Sequence, residues 1–193
     1  MDKCASHWAP NVVLADADFI DRVAFDLIVN FERMLGRRIP PADLCRWLDC
    51  IALDGGLRPG DNAVQAVFIH DKERRRLDNF APADFSADLD GKAFKDNLGE
   101  FTLHAFDVEP IVSKADFFVQ AFEDIAASEA AQRIMVVADM EHYGNAVKAC
   151  AATHHSKDIT LFAMEPLTGR GFTQEILGYS LMSALGISGD ELQ

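Results

Sequence analysis

The residues best suited to chemistry are acids that directly follow short apolar runs. Asp16 and Asp18 follow one such run, and Asp139 and Glu141 follow another. A short, fully apolar run is typical of a strand whose sheet is covered on both faces. In open α/β sheets, ligands bind outside the carboxyl ends of such strands. The pattern therefore predicts that these carboxylates meet at one edge of a sheet.

A further acid, Asp116, begins a predicted helix that follows the third predicted strand. Several carboxylates in one cleft repel one another unless a cation lies among them. Hard divalent ions such as Mg²⁺ and Mn²⁺ prefer oxygen ligands of this kind. The sequence therefore suggests a divalent cation among Asp16, Asp116, Asp139 and Glu141, with Asp18 as an additional candidate.

The same residues have a simpler interpretation as helix-end residues. An Asp at the junction between a strand and a helix often caps the helix, because its carboxylate accepts a hydrogen bond from a free backbone N–H group. An acid in the first turn is favoured by the helix dipole. Asp139 would then be an N-cap and Glu141 a first-turn acid, and the sequence leaves both interpretations open.

The order of apolar patterns predicts the α/β class. Predicted strands alternate with predicted helices, which favours a mostly parallel sheet of about five strands with helices on both faces. We expect one domain over residues 1–193, with a core at about 11–165 and a C-terminal helical extension at 166–193. The strands are predicted at 11–15, 63–70, 101–106, 134–137 and 159–163. Helices are predicted at 20–35, from Pro40 to 54, at 72–77, from about 113 to 126, from about 140 to 153, and at 174–185, with an irregular insertion at 79–99.

Composition limits the classes of function. The chain has 193 residues, 49% of them hydrophobic, and a formal net charge of −13. Such an acidic chain is not a non-specific nucleic-acid coat, although clustered metal-binding carboxylates remain compatible with a nuclease. No apolar run approaches the about 20 residues of a membrane helix, and the N-terminus lacks a signal-peptide core, so we expect a cytoplasmic protein.

The four cysteines predict reduced, structural thiols. The sequence contains no CxxC pair and no metal-ligand spacing between the histidines and Cys4, Cys45, Cys50 or Cys150. The adjacent histidines near residue 154 are expected in a solvated turn.

Three segments together resemble the NYN branch of the PIN-like nucleases. The sequence VVLAD ending at Asp16 resembles that family's first strand and Asp, the segment 113–116 (SKAD) resembles its helix-opening element, and the segment 137–142 (VADMEH) is similar to its second acidic strand end. The resemblance implies a parallel sheet with interleaved helices and metal-dependent cleavage of RNA. It also implies that Asp16, Asp116, Asp139 and Glu141 hold Mg²⁺ or Mn²⁺ and act in catalysis, with Asp18 and Lys114 as possible substrate contacts.

The segments also depart from the family pattern. Phe19 stands near the position of the family's Asn, Val137 and Ala138 replace Ser-Gly, Glu141 replaces an Asp, and His142 replaces a Phe. These departures favour an alternative in which the domain has lost catalysis and serves in binding or assembly. The apolar C-terminal helix would then be available for homo-oligomer formation.

A second enzyme class competes with the nuclease. Asp16-Ala17-Asp18 after a buried strand also resembles the nucleophile motif of haloacid-dehalogenase-type phosphatases, in which the first Asp attacks phosphorus and the second acts as acid and base. Lys114 and Asp139 would supply that family's later lysine and metal-binding acid. The residues after Asp18 differ from that family's Gly-Thr, and the predicted helix begins too early to leave room for its flap.

Overall fold

The computed structural model describes residues 7–193, so that Cys4 lies outside the described residues. The strands are β1 (Asn11–Asp16), β2 (Ala42–Asp43), β3 (Asn62–Asp71), β4 (Phe80–Ala81), β5 (Ala93–Asp96), β6 (Gly99–Val108), β7 (Arg133–Val137), β8 (Asp158–Ala163) and β9 (Thr173–Ile176). The α-helices are α1 (Ala17–Leu35), α2 (Leu44–Asp54), α3 (Lys114–Ala127), α4 (Met140–Thr153) and α5 (Leu177–Ala184). A π-helical turn (Phe85–Leu89) and a C-terminal 3₁₀ turn (Gly189–Leu192) complete the secondary structure of these residues.

The central sheet is doubly wound. Its seven strands lie in the order β5-β6-β3-β1-β7-β8-β9, and all pairs are parallel except β5 with β6. The six parallel strands, counted in chain order, follow the order 3-2-1-4-5-6 of dinucleotide-binding folds, and its direction reverses between β1 and β7. Ligands of open α/β sheets bind outside the carboxyl ends of the strands at this reversal point. Asp16 ends β1 and Asp139 follows β7, so both lie at that edge.

Helices cover both faces of the sheet, and alternate residues of each strand face opposite sides. Val13 and Ala15 pack with α1, α2 and α5, whereas Val12 and Leu14 pack with α3 and α4. Each of these β1 side chains is fully buried. Coverage on both faces explains why the strands are continuously apolar and why polar groups appear only where the strands end.

The predicted α/β class and mostly parallel sheet are confirmed, but the prediction of about five strands was too low. The five predicted strands form β1, β3, β6, β7 and β8. The two additional strands, β5 and β9, have four residues each and lie at the sheet edges, where one side of the strand stays exposed. Their sequences, AFKD and TQEI, are too short and polar to show a buried-strand pattern.

Two predicted helices also differ in the structure. The last helix begins at Leu177 rather than at residue 174, because residues 173–176 pair with β8, so the segment 166–193 also contributes a strand. Residues 72–77 are not helical: they form a turn and an isolated bridge between Arg76 and Asp84. The backbone N–H of Leu77 donates to Ala83 instead of to a preceding turn.

Helix α5 packs mainly on its own chain. Leu177 and Leu181 are fully buried in the cluster that includes α1 and α2, while Tyr179 is 71% exposed. Within residues 7–193, we find no helix that is both long enough and apolar enough to cross a membrane.

Candidate functional site

Asp16 and Asp139 both cap the helix that follows their strand. The Asp16 carboxylate accepts a hydrogen bond from the Phe19 N–H at 3.1 Å, and the Asp139 carboxylate accepts one from the His142 N–H at 3.3 Å. The capping interpretation of Asp139 is therefore confirmed, and Glu141 lies in the first turn of α4, as that interpretation expects. Capping uses only part of each carboxylate, so further contacts decide what each Asp can do.

Asp16 is buried beneath the sheet edge, with only 1% of its surface exposed. Its Oδ2 accepts a hydrogen bond of 2.7 Å from the Tyr143 hydroxyl, and its Oδ1 lies 3.4 Å from the Lys114 ammonium. Burial raises the pKa of Asp16, and this effect outweighs the opposing effects of Lys114 and Tyr143. The protein therefore holds Asp16 in a place where its negative charge is incompletely compensated.

Lys114 brings three carboxylates to one point. Its Nζ lies 3.0 Å from Asp18 Oδ2, 3.4 Å from Asp16 Oδ1 and 3.8 Å from Asp71 Oδ2. Asp18 is fixed further by the Asp71 N–H, which donates to its Oδ2 at 2.8 Å. Burial lowers the pKa of Lys114, but the carboxylates of Asp16 and Asp18 more than offset this and raise it, so Lys114 is charged.

Arg74 extends the cluster to a third buried acid. Its Nη2 lies 2.6 Å from Asp21 Oδ2, and its Nε lies 3.4 Å from Asp18 Oδ1. Asp21 is otherwise satisfied by the N–H groups of Asp78 and Asn79. The buried Oδ1 of Asp18 makes no hydrogen bond within the described residues. The buried acids Asp16, Asp18 and Asp21 thus share two basic side chains, and one oxygen remains unsatisfied.

Asp139 is fully compensated by comparison. Arg22 Nη2 lies 2.8 Å from its Oδ2, and His142 Nδ1 lies 2.9 Å from the same atom. Burial would raise the pKa of Asp139, but the hydrogen bonds from His142 and Arg22 outweigh burial and lower it. Asp139 is thereby held ionised by its own neighbours.

The remaining predicted acids lie outside this network. Asp116 is exposed in the first turn of α3, where it lines the groove between α3 and α4, and Glu141 is exposed on α4. Across residues 7–193, neither carboxylate makes an ion pair or accepts a hydrogen bond. The structure therefore brings together Asp16, Asp18 and Lys114, places Asp139 at the neighbouring strand end, and leaves Asp116 and Glu141 at the surface.

Several residues of the network were not singled out from the sequence. They are Arg22, Asp21, Asp71 and Tyr143. Arg74 belongs to a basic group that directly follows β3, and its position after a strand end is the signal that places it at this edge. Tyr143 lies one helical turn after Asp139, a spacing that keeps it at the start of α4 beside the strand ends. Arg22 carries no comparable signal.

The donor chemistry of this edge fits a hard divalent cation. Asp16, Asp18 and Asp71 offer only oxygen atoms, as Mg²⁺ and Mn²⁺ prefer. Asp18 Oδ1 accepts no hydrogen bond, although Arg74 Nε lies 3.4 Å away, and the Lys114 ammonium shows that a positive charge is stabilised beside Asp18. A surface cavity of about 570 Å³ opens onto Asp18, Arg74 and Lys114. The site is therefore accessible from solvent.

Comparison with known proteins adds one result. No curated protein and no solved structure matches the chain. The profile of a family of unknown function, DUF6621, matches residues 5–192, which is nearly the whole chain. The chain therefore belongs to the family DUF6621.

Proposed function

We propose that this protein is a divergent PIN/NYN-like ribonuclease that uses Mg²⁺ or Mn²⁺ to cleave RNA phosphodiesters. The observation that carries the proposal is the convergence of Asp16, Asp18 and Asp71 on the Lys114 ammonium at the carboxyl edge of the sheet. The reversal of strand order between β1 and β7 supports the location, since ligands of such sheets bind there. The parallel sheet with helices on both faces agrees with the PIN-like resemblance.

The side chains have separate roles in this proposal. Asp16 and Asp18 would hold the divalent ion, which would supply positive charge to the phosphodiester as a Lewis acid. Tyr143 keeps Asp16 in place through its hydrogen bond. Lys114, when its carboxylate contacts are taken over by the ion, is free to donate to a phosphate oxygen. Arg74 holds Asp18 and Asp21 in position from the other side.

A groove beside the site carries three basic side chains together with three aspartates, and its basic side chains suit the phosphates of a polyanionic substrate. His70, Lys72, Arg74 and Arg75 line a groove of about 500 Å³ next to the cavity at Asp18, and Arg74 lines both. Basic side chains such as Lys72, Arg74 and Arg75 position the phosphates of a nucleic-acid chain. The groove also contains acids, which limits its net charge, so we propose a single-stranded RNA held at a few phosphates rather than a long duplex.

Cleavage of single-stranded RNA in Mn²⁺ tests the proposal. Asp16→Asn and Asp18→Asn should each lower the rate by at least about a hundredfold, the loss typical when a group acting on transition-state charge is removed. Asp158→Asn is the matched control, because Asp158 is 52% exposed and begins β8, at the opposite edge of the sheet. Equal rates for wild type and all three variants would overturn the proposal.

A phosphatase that uses Asp16 is the second candidate. Contact between Lys114 and both Asp16 and Asp18 favours it, because the resemblance to dehalogenase-type phosphatases assigns a lysine to that place. Against it, α1 begins at the residue directly after Asp16, which leaves no room for that family's flap. Hydrolysis of small phosphate esters and trapping by beryllium fluoride at Asp16 would support the phosphatase.

A binding or assembly module is the third candidate. The compensation of Asp139 by Arg22 and His142 favours it, since this acid needs no added cation. Helix α5 exposes Tyr179, which gives a second copy of the chain a point of contact. Inactivity toward both RNA and phosphate esters, in a protein that folds and is found to be a dimer by sedimentation, would support this candidate.

A further inference from the structure

Three donor atoms of different chemistry meet between α3 and α4, outside the acid network at the sheet edge. One side-chain donor atom from each of Glu123, Cys150 and His154 lies within 4.8 Å of the other two. The Cys150 thiol donates to Glu123 Oε2 at 3.2 Å, and His154 Nε2 lies 2.7 Å from Glu123 Oε1. A carboxylate, a thiol and an imidazole thus converge on one point.

The local sequence builds this cluster from two helices. Cys150 and His154 are four residues apart, which places them on one face at the end of α4. Glu123 lies on α3, whose neighbouring residues Phe122 and Ile125 pack into the same core as Cys150. The spacing from Cys150 to His154 carried no clear signal in the sequence, because the third donor of the cluster comes from another helix.

We propose that Glu123, Cys150 and His154 bind Zn²⁺. Sulfur and imidazole nitrogen suit zinc, whereas Mg²⁺ and Ca²⁺ select all-oxygen sites. In a tetrahedral zinc site, neighbouring ligand atoms lie about 3.3–3.6 Å apart. Two of the three distances between donor atoms, 3.2 Å and 2.7 Å, are already at or below that separation, and the largest is within 4.8 Å. Small side-chain rotations are therefore enough to bring the three donor atoms to the positions of zinc ligands.

The protonation of the cluster is consistent with this assignment. Burial, together with the Glu123 carboxylate, raises the pKa of the Cys150 thiol to about 12, so the thiol is protonated when no cation is present. Binding of Zn²⁺ replaces the S–H bond with an S–Zn bond and releases that proton to solvent. His154 changes tautomer, with its proton on Nδ1, so that the Nε2 lone pair can bind the metal. Glu123 then loses its donor from Cys150 and gains the metal instead.

The proposed site would join the two helices that cover one face of the sheet. Three protein ligands leave a fourth position for water, and Glu123, whose side chain is 44% exposed, gives access to it. Lys114 lies at the start of α3 and Tyr143 near the start of α4. A zinc ion bound between α3 and α4 would therefore also restrain the two helices that contribute these residues to the acid network. The zinc proposal does not depend on the ribonuclease proposal.

Direct metal binding tests the site. The full chain is stripped with EDTA, dialysed, and titrated with Co²⁺ as a spectroscopic substitute for Zn²⁺. We expect a thiolate-to-cobalt charge-transfer band and tetrahedral d–d absorption, both lost when Zn²⁺ is added in competition. We also expect Zn²⁺ to raise the melting temperature, because a ligand that binds only the native state stabilises it.

Two matched pairs of variants separate the site from adventitious binding. His154→Ala should weaken Zn²⁺ binding by about tenfold or more, since a three-ligand site loses one of its donors. His155→Ala, which removes the adjacent exposed histidine, should leave binding unchanged. Cys150→Ser should abolish the charge-transfer band, and Cys45→Ser should retain it.

Two results would overturn the proposal. One is the absence of a thiolate band in the wild type with added Co²⁺. The other is an equal loss of affinity in His154→Ala and His155→Ala. If Cys150→Ser fails to fold because Cys150 is buried, the histidine pair alone still decides.

Discussion

The β1–α1 and β7–α4 corners begin alike and differ in their electrostatics. In each, an Asp at or just after the end of a buried parallel strand caps the next helix. The Asp139 carboxylate has two close basic partners, and its pKa is lowered. The Asp16 carboxylate is buried more deeply, shares one ammonium with two other acids, and its pKa is raised. The capping motif is the same, and the tertiary partners set the charge balance.

This difference indicates which corner can accept an additional cation. A carboxylate that is already paired and hydrogen-bonded gains little from another positive charge, whereas an incompletely compensated one gains more. The excess of acid is concentrated around Asp16 and Asp18, so we propose that the divalent ion binds there and that Asp139 is a structural neighbour.

Removal of Lys114 should be the most destabilising single change at this edge. Lys114→Met leaves Asp16 and Asp18 buried without their shared cation. Loss of one partner of a buried ion pair lowers the free energy of unfolding, and we expect a loss of about 2–3 kcal/mol, less than for a fully buried pair because Lys114 is partly exposed. Urea unfolding in EDTA measures the cost. Lys72→Met is the control, since Lys72 pairs only with the exposed Glu109 and should unfold like the wild type. Equal midpoints for the two variants would contradict the account.

Removal of Arg22 should have a smaller effect on the other corner. Arg22→Met leaves Asp139 with its cap and with His142, and the Arg22 side chain is 55% exposed, so solvent screens much of the lost interaction. We expect a loss of about 1 kcal/mol or less, by the same urea measurement. Arg38→Met, at an exposed arginine just after α1, serves as the control. A cost as large as that of Lys114→Met would remove the distinction between the two corners.

The smallest effect is a difference in pH dependence between Asp16→Asn and Asp139→Asn. The ordinary pKa of both groups is 3.8. Since folding raises the pKa of Asp16, the folded protein binds more protons above that value, and wild-type stability falls as the pH rises through the folded pKa. Asp16→Asn has no carboxylic acid to ionise at this position, so its stability does not fall for this reason. The free energy of unfolding of the variant relative to wild type should therefore increase from pH 4 toward pH 7.

Asp139→Asn should show the opposite trend. Folding lowers the pKa of Asp139, so its stabilising contribution is present above 3.8 and is lost as the pH falls through the folded pKa. The variant should therefore be least stable relative to wild type above about pH 4, with the difference closing in more acidic solution. Chemical unfolding at several pH values in EDTA measures both trends. Parallel trends for the two variants would contradict the assigned charge balance.

The sequence predicted the structure wherever burial required a continuous apolar strand and wherever polar residues followed the end of such a strand. The apolar runs located β1, β3, β6, β7 and β8, and the acids after them located the sheet edge. Edge strands β5 and β9 lacked such a signal because half of each is exposed. The charge balance also lay beyond the sequence, because Lys114, Arg74 and Arg22 reach the acids across 53 to 117 residues. Asp116 follows Lys114 by two positions, yet it points into another groove.

Crystals soaked in Mn²⁺ give the most direct test of the central claim, that the corner of Asp16, Asp18 and Lys114 takes a divalent cation. The account predicts an anomalous density peak in contact with the Asp16 and Asp18 carboxylates, at about 2.1–2.2 Å from their oxygens as in octahedral sites of hard cations. It also predicts that the Lys114 ammonium moves away from both. A peak only at Asp116 or Glu141, or an unchanged Lys114 with no peak beside it, would contradict the claim.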